Sequence, residues 1–100
     1  VAVLYSRGPK WVEDKNFIEQ PIAPHAQYMH ALLTQKRLML GGPYRDNLGE
    51  LTILRVADFP DARAIVDHDP AIQAGILKAE LHPWQISFDG QKESQPTAKP

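Results

Sequence analysis

The spacing of apolar positions changes along this chain from adjacent, to helical, to alternating, and each change marks an element. Val1–Ser6, VAVLYS, is a short β-branched and aromatic run that predicts a strand buried on both faces. The following RGPKWVEDKNFIEQPIAP has no period and is broken by Gly8, Pro9, Pro21 and Pro24. It reads as a long loop, either a functional flap or a surface loop pinned by Trp11 and Phe17. From Pro24 the period becomes helical: His25, Tyr28, Met29, Leu32 and Leu33 fall on one face. Pro24 suits the first turn, and the helix should end near Lys36.

Arg37–Gly41 and Glu50–Val56 read as two strands joined by GGPYRDNLG, hence an antiparallel pair. ADFPDARAIVDH is a second helix, with Asp58 as N-cap and Ala62, Ile65 and Val66 on its apolar face. Pro70 disfavours helical geometry at Asp69, so this helix stops at about His68. DPAIQAG then forms a short helical turn, capped by Asp69 and ended by Gly75. Leu77–Ile86 alternates well enough for a last strand, and after Phe88 the polar DGQKESQPTAKP predicts a loose tail. The chain therefore divides into a domain over 1–88 and a tail over 89–100.

The resulting order, β–α–β–β–α–β, predicts an α+β, ferredoxin-like fold: an antiparallel sheet with both helices on one face. The other face would be bare in a monomer. With apolar residues on both sides of the first strand, a homodimer packed through the open sheet faces is expected, which makes a dimeric α+β barrel.

Composition narrows the functional classes. One hundred residues make one small domain, which buries only roughly 60–70% of its unfolded surface. Eleven basic against 12 acidic residues, net −1, argue against a nucleic-acid surface, which would be basic and clustered. With no cysteine, thiolate catalysis and disulfides are out, and a cytoplasmic setting is expected. No apolar run approaches the roughly 20 residues of a membrane helix, so no membrane partner is expected. The chain begins with Val1 rather than Met, which leaves room for residues upstream, a signal peptide among them.

The pieces HAQYMHALL, LMLGGPY, GELTILRV and DHDPAIQAGILKAELHPW together resemble the YciI-like proteins, over about Val1 to Trp84. SRGPKW resembles a subset of that family, the dehydrochlorinase-like one. The resemblance implies a dimeric ferredoxin-like α+β barrel and a His–Asp pair in a pocket, at His25 and Asp69 here. It also implies a range of activities: one characterised relative is a dehydrochlorinase acting on chlorinated hydroxyquinols, and related barrels include muconolactone isomerases.

The residues themselves are compatible with that chemistry. His25 lies on the apolar stripe, in the first helical turn, where the helix dipole disfavours an imidazolium and keeps the ring neutral. A carboxylate nearby would raise its pKa again and fix its tautomer, giving a general base with an orienting acid. The plain alternative is a half-buried histidine bonded to backbone. Asp69 has a structural role as N-cap whatever else it does, and its second oxygen is free for His25.

Arg7 could hold an anionic oxygen, or be a solvated loop arginine. Gly41-Gly42-Pro43 lets backbone approach a ligand or a second chain closely, with Gly42 and Pro43 taken as the substrate-binding pair. Trp11, Tyr28 and Trp84 could line an aromatic pocket, while Tyr28 and Trp84 in such places are more often core or dimer interface. Asp67 and His68 fit the end of a helix. His30 lies about 140° round the helix from His25, and His82 stands alone, so no metal site is expected.

The expectation is a small enzyme without metal or organic cofactor. His25 and Asp69 would act as general acid/base on a small anionic or aromatic substrate bound by Arg7, Trp11, Tyr28, Gly42 and Pro43. Elimination such as dehydrochlorination, or isomerisation, needs only proton transfer, whereas hydrolysis lacks a visible nucleophile. The alternative is a non-catalytic ligand-binding or interaction module of the same fold.

Overall fold

A computed structural model describes residues 1–90. Its elements are β1 (Ala2–Arg7), α1 (Ala23–Thr34), β2 (Leu38–Pro43), β3 (Gly49–Leu54), α2 (Phe59–Asp67), α3 (Pro70–Gln73) and β4 (Leu77–His82). The strands form one sheet in the order β2-β3-β1-β4, every neighbouring pair antiparallel. This is the ferredoxin-like α+β arrangement that the order of elements predicts. Most of the tail expected after Phe88 lies outside the described residues.

Register decides which side chains meet the helices. Tyr5 stands opposite Glu50 on β3 and Ala79 on β4, and Val3 opposite Thr52 and Leu81. Directly opposed residues project to the same side of a sheet, and alternate residues to opposite sides. Val3, Tyr5, Glu50, Thr52, Leu54, Leu77 and Leu81 therefore share one face. Leu32 of α1, Ile65 and Val66 of α2, and Ala71 of α3 join their apolar members in the core.

The other face carries Leu4, Leu40, Leu51 and Ile53. Ile53 lies in a groove bordered by Trp84, Ile86 and Phe88 from the segment after β4, while Leu40 and Leu51 stay exposed. Strand β1, expected to be buried on both sides, is fully covered at Val3 and Tyr5 and only partly at Leu4.

Several boundaries differ from the sequence pattern for local reasons. Strand β2 runs on through Gly42 to Pro43 because it lies at the sheet edge, where a residue without a backbone N–H costs no ladder bond. Strand β4 stops at His82 instead of Ile86, because its only neighbour, β1, begins at Ala2, which stands opposite His82. Helix α1 ends in a Schellman motif, with Lys36 N–H bonded to Leu33 O at 3.0 Å and Arg37 N–H to Leu32 O at 2.9 Å. Lys36 takes the left-handed position at φ 62°, where glycine would be unstrained.

The long stretch between β1 and α1 is pinned from inside. Buried Gln20 accepts from Val12 N–H at 2.8 Å and donates from Nε2 to Val12 O and Lys15 O at 2.8 and 2.9 Å. Trp11 and Phe17 pack against each other with ring centroids 6.1 Å apart. Together they bring Phe17 and Ile22 to the mouth of the site described next.

Candidate functional site

Three polar side chains converge beneath the first turn of α1, each placed by a different local rule. His25 follows Pro24, whose fixed φ starts the helix in the absence of a side-chain cap, and it falls on the sheet-facing stripe. Asp69 sits between α2 and α3 in extended conformation, as expected before Pro70. Its Oδ1 accepts from Ala71 N–H at 2.9 Å and so caps α3. Glu50 opens β3 on the helix-covered face. Gly49 before it is required, since a Cβ there would run into the Tyr5 carbonyl.

The geometry is a chain of short contacts. His25 Nδ1 lies 2.7 Å from Asp69 Oδ2, and His25 Nε2 lies 2.7 Å from Glu50 Oε1. Tyr5 donates its hydroxyl to Asp69 Oδ2 at 3.3 Å and meets the His25 ring edge-on, centroids 5.5 Å apart. Thr52 donates to Glu50 Oε2 at 3.2 Å. His25 is 3% exposed, Glu50 6% and Asp69 0%, so these charges interact largely away from water. Among the described residues no buried side-chain polar atom is left without a partner.

Burial is the largest single influence on His25 and lowers its pKa, but the hydrogen bonds from Asp69 and Glu50, with their charges, outweigh it and raise the pKa to about 9. The ring that the helix dipole was expected to keep neutral is instead an imidazolium at neutral pH. A dipole effect at a helix end is worth at most about 2 kcal/mol, less than two charge-assisted bonds at close range. Tyr5 is pushed well above the ordinary phenol range, by burial first and then by Asp69 and Glu50, so it remains a donor. The two carboxylates meet opposite nitrogens of one ring and do not converge on a common point, and the described residues contain no His, Cys, Asp and Glu group suited to a metal ion.

A cleft of about 280 Å³ opens beside this trio between α1 and the β2–β3 edge. Phe17, Ile22, Ala26, Met29, Leu33, Leu38, Gly41 and Pro43 give it apolar walls, and His25, His30 and Glu50 are its polar lining. Asp69 lies behind His25, out of the cleft.

Of the residues read from sequence, the fold brings His25 and Asp69 together, with Pro43 at the cleft wall. Of the two glycines, which lie inside β2, it is Gly41 and not Gly42 that borders the space. Arg7, Trp11 and Tyr28 have other surroundings. The Arg7 guanidinium lies 5.1 Å over the Trp11 ring and donates to Asn47 O at 3.4 Å. Tyr28 donates to Ile65 O at 2.7 Å, which ties α1 to α2. His68 donates to Ala64 O at 2.7 Å at the end of its helix, and His82 pairs with exposed Glu80 at 2.8 Å.

Glu50, Tyr5 and Thr52 were not singled out by sequence. Parity puts Glu50 and Thr52 on the side of Leu54, and Tyr5 on that of Val3, but does not say which side the helices cover.

Comparison with known proteins places this geometry on a familiar scaffold. The fold is shared with a dehydrochlorinase. That protein is 5-chloro-2-hydroxyhydroquinone dehydrochlorinase (TftG) from Burkholderia phenoliruptrix AC1100, in complex with 2,5-dihydroxybenzoquinone. It superposes with a TM-score of 0.57 over 85% of this chain and 94% of that one, at 18% identity. The uncharacterised protein YjpA of Bacillus subtilis (strain 168) is 24% identical over 72 residues, which are 72% of this chain and 85% of YjpA. No family model matches the chain. No helix among the described residues is long and apolar enough to cross a membrane.

Proposed function

We propose that the protein is a small acid/base enzyme of the YciI-like kind, in which His25 and Asp69 work on a small aromatic substrate in the cleft. What carries this reading is the trio itself: a buried imidazolium held at 2.7 Å between two carboxylates, one of them lining an apolar cleft. Buried polar groups with strongly moved pKa beside a pocket are common where protons are transferred. Asp69 orients the ring and balances its charge. Glu50 accepts the Nε2–H bond from the ring and keeps lone pairs toward the cleft, so that corner can take a proton from a bound substrate.

Elimination fits such a group. The Glu50 carboxylate, the acceptor that faces the cleft, takes a proton from carbon or, in the keto tautomer of a hydroxylated chloro-ring, from an enolic hydroxyl. The pair left behind becomes the new π bond, and the leaving group departs with its own bonding pair. Isomerisation uses the same first step and returns the proton elsewhere. Of the two substrate descriptions, aromatic draws support from the apolar walls. No Arg or Lys lines the cleft among the described residues, so the anionic description draws none.

A second reading has its own support. Both ring nitrogens of His25 already face carboxylates, an arrangement that also suits a binding module with no turnover. The experiment that separates the two is chloride release from 5-chloro-2-hydroxyhydroquinone, the compound in the dehydrochlorinase's name, by the wild type and by His25→Gln. Release that is lost in the variant supports catalysis. No release by the wild type removes this dehydrochlorination, and equal release by both removes His25 as the acid/base group.

The homodimer belongs to the same proposal. Leu40, Leu51, Trp84 and Phe88 leave exposed apolar area on the sheet face away from the helices, and a second copy would cover it.

A further inference from the structure

The polar end of the cleft has an unusual inventory. Every side-chain donor around the trio is already committed inward. His25 has one nitrogen against Asp69 and the other against Glu50. The Tyr5 hydroxyl is given to Asp69 and the Thr52 hydroxyl to Glu50. What remains toward the cleft is the carboxylate of Glu50, whose two oxygens offer about four acceptor sites, with one contact used on each. An imidazolium between two carboxylates also carries one net negative charge. The rest of the lining is apolar apart from His30, which is exposed.

We infer that this end of the cleft is acceptor-only and that Glu50 determines which ligand it takes: a small apolar molecule bound through an uncharged hydroxyl donated to the Glu50 carboxylate, with the matching carboxylate anion turned away. The inference rests on the cleft being the reactive site proposed above, and it adds the ligand's hydrogen-bonding sense and charge.

A hydroxyl on an apolar ring satisfies both halves of the lining, the ring against Met29, Leu33 and Leu38 and the O–H on Glu50. A carboxylate in the same pose finds no free side-chain donor at the trio, sits against like charge, and leaves its own oxygens desolvated. An ether of the same shape leaves Glu50 without the donor.

Gly41 contributes by what it lacks. It pairs with Thr52, and a Cβ there would stand 2.9 Å from Thr52 Oγ1, so glycine keeps the approach to this corner clear.

The test titrates the full chain with 4-ethylphenol, 4-ethylbenzoate and 4-ethylanisole at pH 7, with backbone amide shifts as the readout. Saturable shifts at Ala26, Met29, Gly41 and Glu50 are expected from the phenol. Binding of the benzoate and the anisole should be weaker by about tenfold or more, the value of one buried hydrogen bond.

Glu50→Gln, whose amide can donate, should narrow the gap between phenol and benzoate. Ala26→Leu, which fills the cleft from the exposed side of α1, should weaken the phenol without changing the far side of the sheet. Benzoate or anisole binding as tightly as the phenol, a preference unchanged in Glu50→Gln, or no saturable shift from any probe would overturn the inference. These are equilibrium measurements in which no bond is broken. A protein that sorts the probes this way but releases no chloride fails only the catalytic reading. One that releases chloride but binds the benzoate as well as the phenol fails only this inference.

Discussion

His25 and Asp69, 44 positions apart in the chain, hold each other at 2.7 Å with the aspartate entirely buried. Asp69 does two jobs with two oxygens: Oδ1 ends the chain's turn into α3, and Oδ2 fixes the imidazole. Breaking a buried charge pair by removing one partner is strongly destabilising, because the other charge is left uncompensated. Asp69→Ala removes both the pairing and the cap, and should cost about 3–5 kcal/mol in urea unfolding. A loss below about 1 kcal/mol would mean that the pair contributes little to the fold.

The raised pKa of His25 makes stability depend on pH with a definite sign. In the unfolded chain the ring titrates near 6.5, and in the folded one near 9. The contribution is therefore fully present below about pH 6.5 and is lost as pH rises through about 9. The difference corresponds to about 3 kcal/mol at most. Urea midpoints measured between pH 6.5 and 10 should fall, and the fall should be flatter in His25→Gln.

The backbone at Lys36 offers a gain that touches nothing in the site. Its φ of 62° at the C-terminal end of α1 is one that side chains adopt at a cost and glycine does not. Lys36→Gly should raise stability by about 1 kcal/mol, seen as a higher urea midpoint with an unchanged slope.

The exposed apolar residues of the open sheet face give a test of assembly. Leu51 lies on that face, opposite Leu4 and Gly42, and is 38% exposed. Sedimentation should give about twice the 11.2 kDa chain mass for the wild type and the single mass for Leu51→Lys. A wild type that sediments as a monomer at high concentration would contradict the homodimer.

Much of the fold was legible because its signals are local. The helical period from Pro24, the Asp-Pro step at 69 and the GGPYRDNLG connection each act within a few residues, and together they give the order of elements, although the strands close in on that connection to leave only 44–48 outside them. His25 stood out as a polar residue on an apolar stripe and Asp69 through the proline after it, but their pairing came from the resemblance to the YciI-like proteins.

Glu50 was not, for a physical reason. In GELTILRV both parities carry apolar residues, since one side faces the core and the other is the open face of the sheet. Alternation then cannot say which way Glu50 points. Tyr5 was hidden in the same manner, inside a run where every residue reads as strand. The charge state of His25 rests on Asp69 and Glu50 together, and the neutral ring expected from the helix dipole gives way once both carboxylates are in place.

The account turns on one claim, that the imidazole of residue 25 is held doubly protonated between two carboxylates. Ring ¹⁵N and ¹H shifts of His25 followed from pH 5 to pH 10 test it directly. Both nitrogens should carry protons at pH 7, with exchange-protected N–H signals, and the midpoint should fall near 9. A midpoint near 6.5, or a single protonated nitrogen at pH 7, would contradict it.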